Sequence, residues 1–468
     1  MLFNTFAFLL FFAVVLLLYW LLPVRRRTHC LLATSYFFYA YWDWRFLGLI
    51  IFVTFANFHL TRLMGGKSGR KRRQLLIAIV SFNLVALGTF KYFNFFANSF
   101  ESLVRAFGFT PSFTTIQIIL PLGISFFTFK AISYGVDVYR KELEATSSFI
   151  EFGIFLSYFP YMIAGPIMSA KVMLPQLQLR ATRLTSSTIN SALLLIALGF
   201  FRKTVIGDYA SPLVSRVFEN NTHFDWKTLL IGIFAFSLQI YGDFAGYSDM
   251  ARGISRLLGI ELTRNFQEPY LSKSITEFWR HWHISLSSWF RKYLYIPLGG
   301  NRVKFQRSLF NLLIVMAVAG LWHGAAVTFL VWGLIHGLLL VIHKLMVRSN
   351  PLRTPARLFS LIKPLKVGVT FAVVSLIWVF FRADSFQTAT EMITRIALKA
   401  SGTFDRIDFL QLLILILISF SLDFVVRHYR SARYVLNTYS SGLVIGILFA
   451  IALSFRASEI VPFVYFQF

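Results

Sequence analysis

Charge and sulfur are scarce in this sequence. Of its 468 residues only 14% are Asp, Glu, Lys or Arg, against roughly 25% in a soluble globular domain, so water is not the solvent for most of the surface. A single cysteine, Cys30, excludes an intramolecular disulfide and a multi-cysteine zinc site, and with them redox chemistry as a theme. No His-x-x-x-His pattern occurs and the carboxylates lack ligand spacing, so no metal is expected. A glycine-rich phosphate loop and a Gly-x-Ser-x-Gly elbow are both missing, which excludes a P-loop NTPase and an ordinary serine hydrolase. Low-complexity tails, internal repeats and a soluble domain are absent as well.

What is abundant is apolar: 57% of residues are hydrophobic and 18% aromatic. A hydrocarbon core of about 30 Å takes roughly 20 helical residues per crossing, and weakly charged stretches near that length recur along the chain. The expected fold is an all-α integral membrane protein with about 11 to 13 membrane segments, some re-entrant or buried, in one polytopic domain over residues 1–468. Conventional spans are expected at 2–22, 29–42, 46–60, 75–96 and 116–139, with an amphipathic external connection at 98–112, and further spans at 367–381, 409–422 and 443–455.

The net charge of +26 does not point to nucleic acid, because Lys and Arg sit in short blocks between apolar runs. That placement fits the positive-inside rule and anionic lipid. Arg25 to Arg27 follow the first span, Lys67 and Arg70 to Arg73 the third, and Arg140 and Lys141 the fifth. If spans alternate, all three clusters are cytoplasmic and the N-terminus is outside. The first segment has no charge before its apolar run, unlike a signal peptide, and reads as a retained span.

Three regions break the regular pattern. Pro160, Gly165 and Pro166 interrupt an apolar run, and broken helices at membrane depth survive only where protein or a wet cavity satisfies the freed backbone. The run 229–241 leads into Gly242-Asp243-Phe244-Ala245-Gly246-Tyr247-Ser248-Asp249-Met250, where two carboxylates and two glycines interrupt a span-like segment. Residues 265–302 mix Trp279, Trp282 and Trp289 with Arg280, His281, His283, Arg291 and Lys292. Each charge at a span centre costs about 2.5 to 3.5 kcal/mol on insertion scales, so this is a protein-buried or interfacial helix rather than a lipid-facing crossing.

Between Arg307 and Lys344 there is no Asp, Glu, Lys or Arg. The stretch is either one long tilted helix or two short ones bent near Gly320 to Gly324, and His323 lies far from both charged ends. Gly320 and Gly324, at i and i+4, are expected to let another backbone approach. A buried imidazole favours its neutral form, the state a general base for a hydroxyl needs. Two readings stay open here: a catalytic base, or a histidine hydrogen-bonded across helices. His336 would face about 220° away on a continuous helix and reads as structural. His281 and His283 would lie about 200° apart, and Glu277, four residues before His281, is expected to pair with it, leaving His283 the freer. For Asp243 and Asp249, pairing with Arg252 or a buried cation weighs equally with a site role.

The segments Glu277-Phe278-Trp279-Arg280-His281-Trp282-His283-Ile284-Ser285-Leu286-Ser287, Tyr293-Leu294-Tyr295-Ile296-Pro297-Leu298-Gly299-Gly300-Asn301-Arg302 and Gly320-Leu321-Trp322-His323-Gly324 resemble the membrane-bound O-acyltransferase family, in its bacterial alginate O-acetylase branch. Ser133-Tyr134, Asp137-Val138-Tyr139-Arg140, Ala164-Gly165-Pro166, Gly246 to Met250, Asn265-Phe266 and Pro269-Tyr270 follow in the order of that branch. The branch often has Phe where Gly242 stands, Ser where Ala245 stands and Arg where His281 stands; these departures bear on which polymer is modified.

The resemblance implies a helical enzyme with a central tunnel, His323 as the catalytic residue and His283 as a second active-site histidine, and carries over no other position; apart from it, Asp243, Asn265 and Trp322 are candidates for binding substrate. It implies no bound cofactor, and acetyl-CoA as the acyl donor on the cytoplasmic face of a bacterial inner membrane. The acceptor would be an exported polysaccharide such as alginate or cellulose, reached directly or through a periplasmic acetyl-relay or acetyltransferase protein of a secretion complex. Two alternatives remain at this stage: D-alanyl-type transfer from a carrier protein to a cell-envelope polymer, and a polysaccharide export component, for which broken helices and midplane polar residues are also expected.

Overall fold

A computed structural model describes residues 1–109, 117–163, 165–179, 183–349, 356–432, 438–456 and 461–464. The start of the expected span at 116, the end of the 98–112 connection and Ala164 lie outside them. Among the described residues the fold is helical throughout, apart from one isolated parallel bridge between Phe224 and Thr403. Eight stretches are long and apolar enough to cross a membrane. This is fewer than about 11 to 13 segments of crossing length. Part of the difference is that Val24–Gly65 counts once but holds two helices, Arg27–Asp43 and Leu47–Gly65, and that Phe6–Leu21 and Ser440–Ser454 are apolar but shorter.

The chain groups into two compact units, residues 1–189 with 254–263, and residues 190–253 with 264–468. In the first, Phe6–Leu21 starts at Thr5, whose hydroxyl accepts the Phe8 amide. Helices Leu47–Gly65 and Gly69–Leu87 are joined at depth by Asn57 and Asn83, which exchange amide hydrogen bonds of 2.7 and 3.3 Å. Such side-chain pairs act as polar glue where lipid offers no partner. The segment expected to span from 116 to 139 instead forms a 16-residue helix, Ile124–Tyr139, entered through Gly123 at φ +69 and buried almost throughout. Its polar content explains this: Lys130 donates to the Leu156 carbonyl at 2.6 Å with its ammonium 4.0 Å from the Tyr161 ring, contacts that only protein supplies. Arg72, from the basic cluster, is likewise not simply a surface charge, since it donates to the Val138 and Tyr139 carbonyls that end this helix. The proline-bearing region is broken as expected, into Phe149–Ser157 and Phe159–Met162.

The second unit is built on Trp226–Leu257, a 32-residue helix with 89% of its spanning window buried. The interruption expected at Gly242 to Met250 does not occur; the helix runs straight through. The glycines serve contact instead. A methyl group on Gly246 would lie 2.6 Å from the Gly199 carbonyl oxygen, and one on Gly242 2.7 Å from the Gly207 amide nitrogen. The partner backbone contains the π-helical turn Arg202–Asp208, and its close approach leaves no room for a larger residue at Gly242 in this chain. The charge-free stretch forms two helices, Phe305–His323 and Val327–Ser349. Gly320 packs against the backbone at Phe329 and Gly333, as its spacing suggests, whereas Gly324 lies past the helix end at φ −155 and ψ 151 and is covered by the Phe329 ring. The last long helices of this unit are Ala356–Arg382, Arg406–Ala432 and Thr438–Ser454.

The glycine contacts make a direct prediction. Gly246→Ala forces backbone apart and should cost about 1 to 3 kcal/mol, as overpacking does. Gly48→Ala, in a helix with nothing within 4 Å of the added methyl, should gain about 0.5 to 1 kcal/mol. Thermal unfolding of the two purified variants in one detergent checks the pair; equal midpoints would mean the glycine contact carries no weight.

Candidate active site

The stretch expected to carry His281 and His283 on one helix is broken between them. Ile275–His281 begins at Ser274, whose hydroxyl accepts the Glu277 amide at 3.2 Å, while the Glu277 carboxylate reaches back to the Lys273 amide at 2.8 Å. This reciprocal N-terminal cap occupies Glu277, so the expected Glu277–His281 pair does not form, and the His281 ring lies 3.2 Å from the Ser272 hydroxyl. Trp282 is extended, His283 is left-handed at φ +42 and ψ 55, and a new helix runs over Ile284–Phe290. The angular argument that separated the two histidines therefore does not apply; the reversal at His283 aims its side chain independently.

His283 provides no side-chain cap for the second helix. Asn265 provides it: its carbonyl oxygen accepts the Ser285 hydroxyl at 2.6 Å and the Ser285 amide at 3.3 Å, and its backbone carbonyl accepts the Ile284 amide at 2.8 Å. Its side-chain N–H donates to Ser248 at 3.2 Å. Asn265 thus holds the His283 turn onto the long helix, and both ends of its amide are engaged.

His323 is the last residue of Phe305–His323 and is 4% exposed; His283 is fully buried. Their ring centroids are 6.5 Å apart. Trp322 stands edge-on to both, at 4.9 Å from His323 and 6.1 Å from His283. Trp332 and Phe381 close on His323 at 5.2 and 5.3 Å, and Phe244 on His283 at 4.6 Å. Neither ring nitrogen of His283 has a hydrogen-bond partner among the described residues, and burial pushes its imidazole down to about 3, so it is neutral. Two histidines forty positions apart in sequence are brought into one aromatic enclosure from which water is largely excluded. Such a site can take a proton from a hydroxyl and hold a reactive ester away from hydrolysis.

His336 comes closer to this site than a continuous helix allows, because the chain turns back at 324–326. It packs on Trp332 at 4.9 Å and accepts the Trp279 indole N–H at 3.4 Å, a holding contact in keeping with a structural role. Asp243 is not open: Lys203 donates to it at 2.7 Å and the Val464 amide at 3.0 Å. Asp249 pairs with Arg202 and with Arg252, the latter at 3.2 Å, which is the pairing side of the two readings left open for it. Among the described residues no cluster of His, Cys, Asp or Glu is placed to hold a metal.

Sequence reasoning missed Lys203 with Asp208 and the set Arg202, Tyr241 and Asp423, in which the tyrosine hydroxyl donates to Asp423 at 2.9 Å and Arg202 reaches it at 3.0 Å. Lone carboxylates inside apolar runs were the available signal. Phe381 and Phe463, one more phenylalanine each among 54, gave none.

The sequence profile of the membrane-bound O-acyltransferase family matches residues 37–382, which include both histidines. The chain is 41% identical over 396 residues to the probable alginate O-acetylase AlgI of Pseudomonas aeruginosa, covering 83% of this chain and 73% of that one. It is 34% identical over 389 residues to the peptidoglycan O-acetyltransferase of Helicobacter pylori, covering 78% and 72%. To the teichoic acid D-alanyltransferase of Streptococcus thermophilus it is 30% identical over 282 residues, covering 56% and 68%. With a family profile spanning most of its length and multiple apolar helices, this multi-pass membrane protein is an O-acyltransferase that belongs to the membrane-bound O-acyltransferase family.

Proposed function

We propose that the protein transfers an acetyl group from cytoplasmic acetyl-CoA, through a tunnel in the bacterial inner membrane, to a hydroxyl destined for an exported polysaccharide such as alginate or cellulose. The observation that carries the reading is the 6.5 Å approach of His283 and His323 inside a buried aromatic enclosure. The similarity to proteins named as O-acetylases of alginate and peptidoglycan supports acetyl as the group and a glycan as the acceptor.

In this mechanism His323 is the general base. The acceptor hydroxyl gives its proton to the His323 imidazole as its oxygen attacks the thioester carbonyl; the carbon–sulfur bond breaks, and the coenzyme A thiolate takes the proton back from the imidazolium. A thioester is already activated, so positioning and a water-poor site supply most of what catalysis needs. His283, neutral and held by the Asn265 cap, orients or polarises the reacting group. The acceptor hydroxyl belongs either to the glycan or to a periplasmic relay protein that completes the transfer. The N-terminus is periplasmic, which puts the Arg25, Arg70 and Arg140 clusters on the cytoplasmic side.

Polymer acetylation in cells carrying wild-type protein or His323→Ala at matched membrane abundance tests the base. Loss of at least about 100-fold, the usual worth of a general base, with polymer export intact, is expected; unchanged ester content would remove His323 from the mechanism. Lost export with normal ester density would favour a transport role. Free coenzyme A released on turnover separates acetyl-CoA from a carrier-bound D-alanyl donor.

His283→Asn makes a second test. Asn tolerates the left-handed backbone, so the variant should match wild type in stability within about 1 kcal/mol by thermal unfolding while acetylation falls. Full acetylation in a stable variant would reduce His283 to a packing residue.

A further inference from the structure

Segment 461–464 lies beyond the 37–382 family match, yet two of its residues are fully inside the second unit: Phe463 is 0% exposed and Val464 1%. Side chains of the long helix and of the π-helical turn hold it. The Val464 amide donates to one Asp243 carboxylate oxygen at 3.0 Å, and Lys203 donates to the other at 2.7 Å while its ammonium also lies 3.4 Å from the Val461 carbonyl oxygen. Asp208 completes the set, 2.6 Å from the same ammonium. A buried ion pair is weak as a stability device, because desolvation offsets its attraction. Here its remaining hydrogen bonds go to the backbone of 461–464, which makes it a latch.

The latch sets a ring beside the site. Phe463 packs on Tyr247 at 4.7 Å and on Phe244 at 6.1 Å, and Phe244 meets His283 at 4.6 Å and Phe266 at 4.8 Å. Asp243, Phe244 and Tyr247 belong to one turn of the long helix, so the ion pair that holds the segment and the wall the segment backs are fixed together. An acyl group presented to His323 also meets the neighbouring His283 and the aromatic rings around it. Phe244 is buried and packs on Phe463 as well as on His283 and Phe266, so in a close-packed interior its ring shifts only as far as these neighbours give way.

We propose that segment 461–464, latched by Lys203 and Asp243, backs the wall of the acyl subsite, and that Phe463 acting through Phe244 limits the acyl group to a short chain. Phe463 is a specificity-determining residue and does not touch the reacting atoms. This inference rests on the acyl-CoA reading of the function. One methylene in a hydrophobic pocket is worth roughly 10- to 200-fold in specificity, so removing the ring should have a large and selective effect.

The experiment uses inverted membrane vesicles from cells that make the acceptor polymer and express the full chain, so that an acceptor hydroxyl is present, with coenzyme A release above that of vesicles lacking the protein measured from acetyl-, propionyl- and butyryl-CoA. Wild type should prefer acetyl. In Phe463→Ala the acetyl-to-butyryl ratio of kcat/KM should fall about tenfold or more, and Phe463→Leu, which keeps most of the core volume and guards against misfolding of the alanine variant, should shift the ratio in the same direction by less. An unchanged ratio in the folded variants, even with lower absolute rates, makes Phe463 merely structural and overturns the proposal alone. A wild-type protein that releases coenzyme A from none of the three overturns the donor reading and this assignment with it.

Discussion

Two consecutive cations, Arg202 and Lys203, are buried in the second unit, and the core of that unit is arranged around satisfying them. Lys203 takes Asp208 and Asp243; Arg202 takes Asp249 and Asp423, with Tyr241 on the same carboxylate. Each ion would be prohibitively costly alone at this depth. Together they tie the π-helical turn Arg202–Asp208, the long helix Trp226–Leu257, the helix Arg406–Ala432 and segment 461–464 to one another. The glycine contacts at 199, 207, 242 and 246 are the steric counterpart, bringing the two backbones together beside the Lys203–Asp243 pair.

The long helix then becomes a fixed reference for the histidines. Ser248 on that helix receives Asn265, Asn265 caps the helix after His283, and Phe244 meets the His283 ring. His323 arrives by a different route, at the end of a helix pinned to its antiparallel neighbour through Gly320 and Gly333. A residue at a helix end escapes the crowding of a helix interior, and a residue in the left-handed region can aim where no regular helix would. His283 occupies such an irregular position, where backbone constraint is spent on orientation, while His323 is aimed from the end of a regular helix.

Much of this was legible in the sequence because it follows from composition and local spacing. Apolar run length gave most helices, the charged stretch around His283 reads correctly as something other than a lipid-facing span, and Gly320 announces a close backbone approach. The site was less legible where tertiary context decides. Periodicity placed His281 and His283 on one helix, but Asn265, far enough upstream to be invisible to any local window, supplies the cap that lets the chain break. Gly242 and Gly246 read as breakers because glycine is a poor helix former; they proved to be contact points, a distinction that depends on Gly199 and Gly207 standing opposite. Ile124–Tyr139 has the length of a short span, and only its buried Lys130 and Asp137 argue against lipid.

The scarcity of charge and the abundance of aromatic residues belong to the same physical requirement as the histidine pair. Water is a competing acceptor for any activated acyl group, at a concentration no hydroxyl of a polymer can match, so selectivity for transfer over hydrolysis must come from exclusion. Trp322, Trp332, Phe381, Phe244 and Phe266 bury the histidines with side chains that are rigid and that offer water few hydrogen bonds. A charged relay beside His323 would bring its own hydration and weaken that exclusion. The ion pairs of this core are instead committed to one another and to backbone, so the rings around the imidazoles are aromatic while the fold that positions them is held by charge.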